Sequence, residues 1–340
     1  MTSRERVLAA LRCEQPDRVP YCELNVDRAI ACQLLGWERP PDHAHIIEEQ
    51  WYSAEECIAL AECLRLDNLG YTLRAPTFTE KVPGKDGRLF YGDGHILTHG
   101  DLALVALPDP YDDALYEDIE SFLRQKGDYA TWFVTRVGIF STMLSMGIEH
   151  FSICLYEDRD LVERLLDLYV DWAVAVAERA CAMGFDVYVS TDDMAFKTGP
   201  YFSPAVFHEM VLPRYQRIAE KITIPWVIHT DGNVMPYLDD LLGLGICGMH
   251  PMEKGAMDIR AMKRSHGDRL CLLGNIDLNL LGLATPEEVD EEVRGLIRDV
   301  GPGGGYIVTS GNSVAAYCLP ENVRAMSNAV QKYGTYPIAV

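Results

Sequence analysis

This 340-residue chain is poor in basic residues: 30 Lys and Arg stand against 51 Asp and Glu, for a net charge of −21. No Lys/Arg cluster offsets that balance, so a nucleic-acid partner, which needs a basic footprint, is excluded. An anionic membrane surface is disfavoured on the same ground. No apolar run reaches the 18 or so residues that a membrane span requires. None of the ten cysteines forms a C-x-x-C pair. Their scatter argues for free thiols in a reducing compartment and not for a disulfide framework. The start, MTSRERVLAAL, reads as an amphipathic helix and lacks the h-region and cleavage site of a signal peptide. These features together lead to a cytoplasmic expectation. There is no G-x-S-x-G elbow and no G-x-G-x-x-G after an early strand, so acyl transfer and a dinucleotide-binding open sheet both lack support. No internal repeat, low-complexity tract or Pro/Ser linker divides the chain, and residues 1–340 are expected to form one domain.

What is present is alternation. Thr2 to Glu5 fits a capping box ahead of a first helix. Tyr21–Leu24, 67–73, 132–138, 186–193, 224–232, 246–251, 269–277 and 304–312 read as short apolar strands. Amphipathic helices separate most of them, among them 43–65, 158–183 and 285–300. Ser203 as N-cap and Pro204 at the first helical position open another. Continuous apolar strands alternating with helices imply a parallel sheet covered on both sides. Eight such units predict a (β/α)8 TIM barrel with an N-terminal helical extension. Residues 77–106 depart from the pattern. Their Asp-Gly pairs at 86–87 and 93–94, flanked by Phe, Tyr, Leu and Ile, predict an inserted β-hairpin.

The strands end in polar groups. Arg136, Asp192 and Asp193, His229 and Asp231, His250 and Glu253, Asn275 and Asp277, and Ser310 and Asn312 follow successive apolar runs. In a parallel barrel all these ends share one face, where barrel enzymes keep their sites. A lone strand-end His is ordinarily a structural hydrogen-bonding residue; six converging ends point to a site. Carboxylates and imidazoles together suit a divalent metal such as zinc, and equally suit acid–base work. Asp192 and Asp193 are adjacent, so only one faces the mouth and the other caps a loop. The GPGGG run at 301–305 precedes its strand, which puts it on the face opposite the site as a turn.

Several segments resemble the uroporphyrinogen decarboxylase superfamily, over essentially the whole chain. They are MTSRERVLAALRCEQPDRVP, HTDGNVMPYLDDLLGLGICGMHPME, MDIRAMKRSHGDRLCLLGNID and GGGYIVTSGN followed by PENVRAM. The resemblance implies a (β/α)8 barrel that serves either as a decarboxylase or as a corrinoid-dependent methyltransferase. Decarboxylases carry an R-Q-A-G-R-like segment; the matching region here, YCELNVDRAIACQLLGW, has only Arg28. DRVP and HTDG are more like the methyltransferase branch. Its thiol-methylating members hold zinc through His-x-Cys and a later Cys, where this chain has Asp231 and Asn312. Its ether-cleaving members use Glu-x14-Glu-x20-His, a spacing that falls on Asp193, His208 and His229 with two identities changed. Glu209 competes for the role of His208.

The resemblance therefore implies zinc on Asp193, His208 and His229, and acid–base roles for Asp192 and Glu253. Substrate binding would fall to Arg136, Tyr201, Asp231, Asn275, Asp277 and Asn312. The substrate would be a small methoxylated, aromatic compound. The acceptor would be cobalamin on a partner corrinoid protein, since this chain carries no D-x-H-x-x-G pattern. A homodimer is compatible with this picture. Two other readings stay open: a metal-free decarboxylase in which Arg136 and Asp67 matter, and a non-catalytic corrinoid-binding barrel.

Overall fold

The computed structural model describes residues 1–38, 50, 52–84 and 89–338. Its centre is a curled sheet of seven parallel strands, each paired with the next in chain order. They are β1 (Asn68–Thr72), β2 (Ala130–Thr135), β3 (Val187–Thr191), β4 (Trp226–His229), β5 (Ile246–His250), β6 (Cys271–Leu273) and β7 (Tyr306–Ile307). The intervening helices supply the crossovers that parallel neighbours in sequential order require.

The sheet is a half-barrel that is not fully closed by a ladder. Tyr21–Leu24, expected as the first of eight strands, makes only an isolated parallel bridge from Tyr21 to Val308. On its other side the Asp67 N–H donates to the Tyr21 carbonyl at 2.7 Å. Two local features prevent a regular eighth strand. Pro20 has no N–H to give a ladder. The Asn68 side chain then takes both backbone groups of Glu23, accepting from its N–H at 3.1 Å and donating to its carbonyl at 2.9 Å.

Alternation along each strand sorts the side chains into two layers. Ala130, Trp132, Val134, Val187, Val189, Val227, Cys271, Leu273 and Ile307 face inward and form one small core. The helix Ser3–Leu11 plugs the N-terminal end of the sheet and adds Val7, Ala10 and Leu11 to that core. It starts where expected: Thr2 and Glu5 form the capping box. Each fully buried aliphatic of this plug stabilises the fold by roughly 1.5–3 kcal/mol. Gly248 makes room for it, because a Cβ there would sit 3.0–3.1 Å from Val227, Leu11 and Leu273. The opposite residues, such as Phe133, Tyr188, Trp226, Ile228 and Leu272, pack outward against the helices in a second, larger core.

Thr79–Pro83 and Leu89–Gly94 form the antiparallel hairpin. The Asp-Gly pair at 86–87 lies outside the described residues. The pair at 93–94 is not a turn but the end of the second strand, and His99–Leu104 is a short 3-10 helix. The hairpin sits on the helix Ile139–Met146, where Ser145 Oγ accepts from the Phe78 N–H at 3.0 Å. The helix expected over 43–65 is described only from Ala54 to Leu64, starting at the N-cap Ser53; 43–49 and 51 lie outside the described residues. The Gly-rich run packs at the plugged end. A Cβ on Gly304 would lie 2.2 Å from the Glu14 carbonyl oxygen, which explains the glycine without a ligand. All ten cysteines are free. No described helix is long and apolar enough to cross a membrane.

Candidate functional site

The register of the sheet aligns Thr191 with His229 and His229 with His250, one inward row across β3, β4 and β5. The same inward alternation continues past the ladder. Val187, Val189 and Thr191 lead to Asp193; Val227 and His229 lead to Asp231. The result is a cluster at the C-terminal mouth in which one ligand atom each of Asp193, His229 and Asp231 lies within 4.8 Å of the others.

The segment His229-Thr230-Asp231-Gly232 is built for this. His229 is buried, with Nε2 3.9 Å from Asp193 Oδ1. Thr230 turns away; its hydroxyl accepts from the Met194 N–H at 3.1 Å and so ties the two strand ends together. The Asp231 N–H donates to Asp193 Oδ1 at 2.9 Å. Asn312 donates to Asp231 Oδ2 at 2.8 Å, while Asp231 Oδ1 is buried with no partner. Gly232 has φ +84°, and a Cβ would lie 2.3 Å from the Ala195 carbonyl oxygen, so no other residue fits the turn. Its N–H donates to Glu253 Oε2 at 2.9 Å, and Lys197 pairs with Glu253 Oε1 at 3.2 Å.

Burial, with help from the Arg74 and Arg136 charges, pushes His229 down to about 3, so its imidazole is neutral. Burial, then the neighbouring Asp193 and Glu253, pushes Asp231 up to about 8. Burial also raises Asp193. Two carboxylates held too high and one neutral imidazole make a site that a divalent cation would relieve. The donor set is oxygen and nitrogen without thiolate, which suits zinc or a harder ion. The unpartnered Asp231 Oδ1 is the kind of buried atom that such an ion satisfies.

Several expected site residues have hydrogen bonds outside the Asp193–His229–Asp231 cluster. Asp192 is not at the mouth. Its side chain falls on the outward row, where it accepts from the N–H groups of Val137, Gly138 and Phe140 at 2.6, 3.1 and 3.2 Å and caps the helix Ile139–Met146. His208 is not in the cluster either. It lies half-exposed on a surface helix, 2.8 Å from Asp240, and Glu209 pairs with Arg159 at 2.8 Å. Asp277 caps the helix Leu278–Leu283. Asn275 is buried and donates to the Met252 carbonyl at 2.6 Å.

Arg136, Tyr201, Glu253 and Asn312 are brought together with the cluster. The Arg136 guanidinium lies over Phe140 at 5.2 Å and donates to the Tyr91 hydroxyl at 3.1 Å, which links the hairpin to the mouth. Tyr201 packs edge-on against Phe196 at 4.2 Å. Burial, then the charges of Asp193, Asp231 and Glu253, pushes its hydroxyl up to about 12.

Residues 87–333 match the family model described as uroporphyrinogen decarboxylase (URO-D). The chain belongs to the uroporphyrinogen decarboxylase family. Within this family's wider relatives, it is 28% identical to the methylcobamide:CoM methyltransferase MtaA of Methanosarcina barkeri, over 98% of both chains. It is 24% identical to the uroporphyrinogen decarboxylase of Alkalilimnicola ehrlichii, over 96% of this chain and 93% of that one. A solved methyltransferase from Methanosarcina mazei shares the fold with a TM-score of 0.76 at 21% identity, covering 98% of this chain and 99% of that one.

Two residues of consequence received no role from the sequence: His250, noted only as a strand end, and Glu23. The signal for Glu23 was a single acid inside the apolar run Tyr21–Leu24. It is buried, and Ser310 bonds to both its oxygens, N–H to Oε1 at 3.0 Å and Oγ to Oε2 at 2.6 Å. Burial raises it from the usual 4.5 to about 8, against those bonds. Protonated, it can donate to the Ser310 hydroxyl and still accept from the amide. Between pH 4.5 and 8 the folded chain thus holds a proton that the unfolded chain has released. Stability therefore falls as pH rises through that window, by at most about 1.4 kcal/mol per unit. The expected result in urea unfolding is a decline from pH 6 to 8.5 that is much flatter in Glu23→Gln. Equal slopes for the two proteins would show that Glu23 is ionised in the fold.

Proposed function

We propose that the chain is a metal-assisted methyltransferase. In this reading it moves a methyl group from a small methoxylated, aromatic compound to the corrinoid of a partner protein. The observation that carries it is the Asp193–His229–Asp231 cluster at the strand ends, with raised carboxylates, a neutral imidazole and no thiolate. The similarity to a methylcobamide methyltransferase supports the branch.

Asp193, His229 and Asp231 would hold the ion, and Asn312 orients Asp231 for it. A zinc ion there would supply Lewis-acid stabilisation of the negative charge that develops on an ether oxygen as its methyl bond breaks. Arg136, Phe140 and Tyr91 supply a cationic and aromatic wall suited to an aryl ring. Tyr201 stays protonated at working pH and offers an O–H beside the cluster. Glu253 fixes the Gly232 turn that keeps Asp231 in place. The methyl acceptor is the cobalamin of a corrinoid protein docked over the mouth.

The decarboxylase reading fares worse on charge. Asp193, Asp231 and Glu253 stand at the mouth against Arg74, Arg136 and Lys197. That leaves no excess of arginines to pair a polycarboxylate, whose unpaired charges are expensive to bury. Asp67, which that reading needs, precedes β1 and so lies at the opposite rim.

The test is turnover of a panel of methoxybenzoates by zinc-loaded protein with free cob(I)alamin. The expected result is loss of the cob(I)alamin absorbance with one phenol released per methyl group moved. A folded, zinc-loaded protein that moves no methyl group but decarboxylates a tetrapyrrole acid would overturn the proposal.

A further inference from the structure

Three thiols gather at the plugged end of the sheet, opposite the mouth. Cys13 follows the plug helix, Cys247 lies in β5 and Cys271 opens β6. Cys271 is fully buried in the small inner core, where Leu11 of the plug helix packs with it. Two residues after Leu11, Cys13 Sγ takes the space that a side chain on Gly305 would fill, 3.4 Å from that Cβ position. Gly305 is the neighbour of Cys271 across the ladder. Its carbonyl accepts from the Leu272 N–H at 3.0 Å, and Leu272 pairs with Tyr306. This sets Cys13 about one strand spacing, roughly 5 Å, from Cys271. A disulfide bridges Cα separations of about 4.4–6.8 Å.

The third thiol is set apart. Cys247 Sγ donates to the Trp226 carbonyl at 3.4 Å. Trp226 belongs to β4, so that bond points away from β6. Nor are the three thiols a metal site, since among the described residues only Asp193, His229 and Asp231 bring three ligand atoms within 4.8 Å. What the pair of Cys13 and Cys271 can do is thiol–disulfide chemistry. Cys13 is partly exposed and Cys271 is not, so an incoming reagent meets Cys13 first. Burial raises both thiols above the usual range and leaves them protonated at rest. Lys263, whose Nζ donates to the Gly304 carbonyl, places a positive charge beside both and favours the reacting thiolate.

We infer that Cys13 and Cys271 form a dithiol modification site, which a small-molecule disulfide oxidises so that the plug helix is stapled to β6. The Cys13 thiolate attacks one sulfur of the incoming disulfide, forms a mixed disulfide and releases one thiolate. The Cys271 sulfur, on losing its proton, attacks Cys13 Sγ and expels the second thiolate. Two protein thiols are oxidised, the external disulfide is reduced to two thiols, and the two protons pass to them. The new bond closes a loop of roughly 250 residues and restricts the unfolded chain more than the folded one. The site is independent of the metal-assisted reading, because the Asp193–His229–Asp231 cluster lies at the other end of the strands.

The test treats the native protein with excess hydroxyethyl disulfide. Remaining thiols are blocked with N-ethylmaleimide before unfolding, and tryptic peptides are mapped by mass spectrometry. Trypsin cuts after Arg12 and after Arg269. The expected product is peptide 13–18 joined to peptide 270–294 with the loss of two hydrogens. The oxidised protein is expected to melt about 5 °C higher, a rise that dithiothreitol reverses. Cys247→Ser should form the same link. Cys13→Ser should form none and keep its untreated Tm. A mixed disulfide that stays on Cys13, a link from Cys13 to Cys247, or Cys13 and Cys271 both recovered unoxidised would overturn the proposal. So would a Cys13–Cys271 link that leaves Tm unchanged.

Discussion

On the metal-assisted methyltransferase reading, alanine at His229 is expected to strip the ion and stop methyl transfer together. His229 supplies the only nitrogen of the cluster, and its Nε2 faces Asp193 at 3.9 Å. A cation left with two carboxylates loses a ligand outright, which should exceed the 10–100-fold that outer partners contribute. Asp231→Ala should behave alike, because it removes the oxygen that has no other partner and the acceptor of Asn312. The control is His208→Ala. That imidazole is half-exposed and bonds to Asp240 on the surface, so its loss should leave metal content and turnover unchanged. Elemental analysis of zinc-reconstituted, dialysed protein checks all three. About one zinc per chain in wild type and His208→Ala, and none in the other two, is the expected pattern. Loss of zinc from His208→Ala as well as from His229→Ala would restore the ligand set that the resemblance implied.

That contrast shows where sequence spacing stops being informative. The intervals from 193 to 208 and 208 to 229 fit a ligand motif along the chain. Spacing along a chain fixes a position in space only if the intervening elements are regular. Here the helix that carries His208 contains a π-helical stretch over Phe207–Val211, and the imidazole lies half-exposed beside Asp240. Asp231 is the converse case. As a substitute for a cysteine ligand it read as substrate-binding, yet it is two residues beyond His229 and therefore returns to the same inward row. The adjacent pair Asp192 and Asp193 could be assigned to opposite sides from alternation alone. Which of them faced inward could not, because every residue of β3 is buried and the strand pattern carries no polar face.

The sheet was legible for a similar reason. Apolar runs separated by amphipathic helices specify parallel strands and their order. Only the ends differ, since polar residues such as Asp186 and Asn275 flank ladders that stop earlier. The missing eighth ladder was not legible, because it depends on a tertiary contact. The amide of Asn68 occupies backbone groups of Glu23 that a neighbouring strand would need, and nothing in either local sequence announces that meeting.

The second large effect is expected at the far end of the sheet, at Asp67. This carboxylate has no solvent exposure. It accepts from Arg6 at 2.7 Å, twice from Arg18 at 2.9 Å, from the Ser3 hydroxyl at 2.8 Å and from the Tyr21 N–H at 2.9 Å. Through it the plug helix, the Arg18–Glu23 segment and β1 are held by one group. Asp67→Ala would leave the buried Arg6 with Asp17 and the Met1 carbonyl, and the Tyr21 N–H without its Asp67 acceptor. Removing one partner of a buried ion pair destabilises by about 3–5 kcal/mol, and an orphaned amide adds to it. Equilibrium unfolding in urea should show a loss of that order, with Asp67→Asn intermediate because the amide can still accept one set of hydrogen bonds. Zinc content in native buffer should not change, since the cluster lies at the opposite end of the strands. The same variant separates the two enzymatic readings. If Asp67→Asn folds with near wild-type stability yet loses all turnover, Asp67 acts in catalysis and the site belongs at the plugged end. If stability falls and turnover per folded molecule holds, Asp67 is the anchor of the half-barrel's open seam.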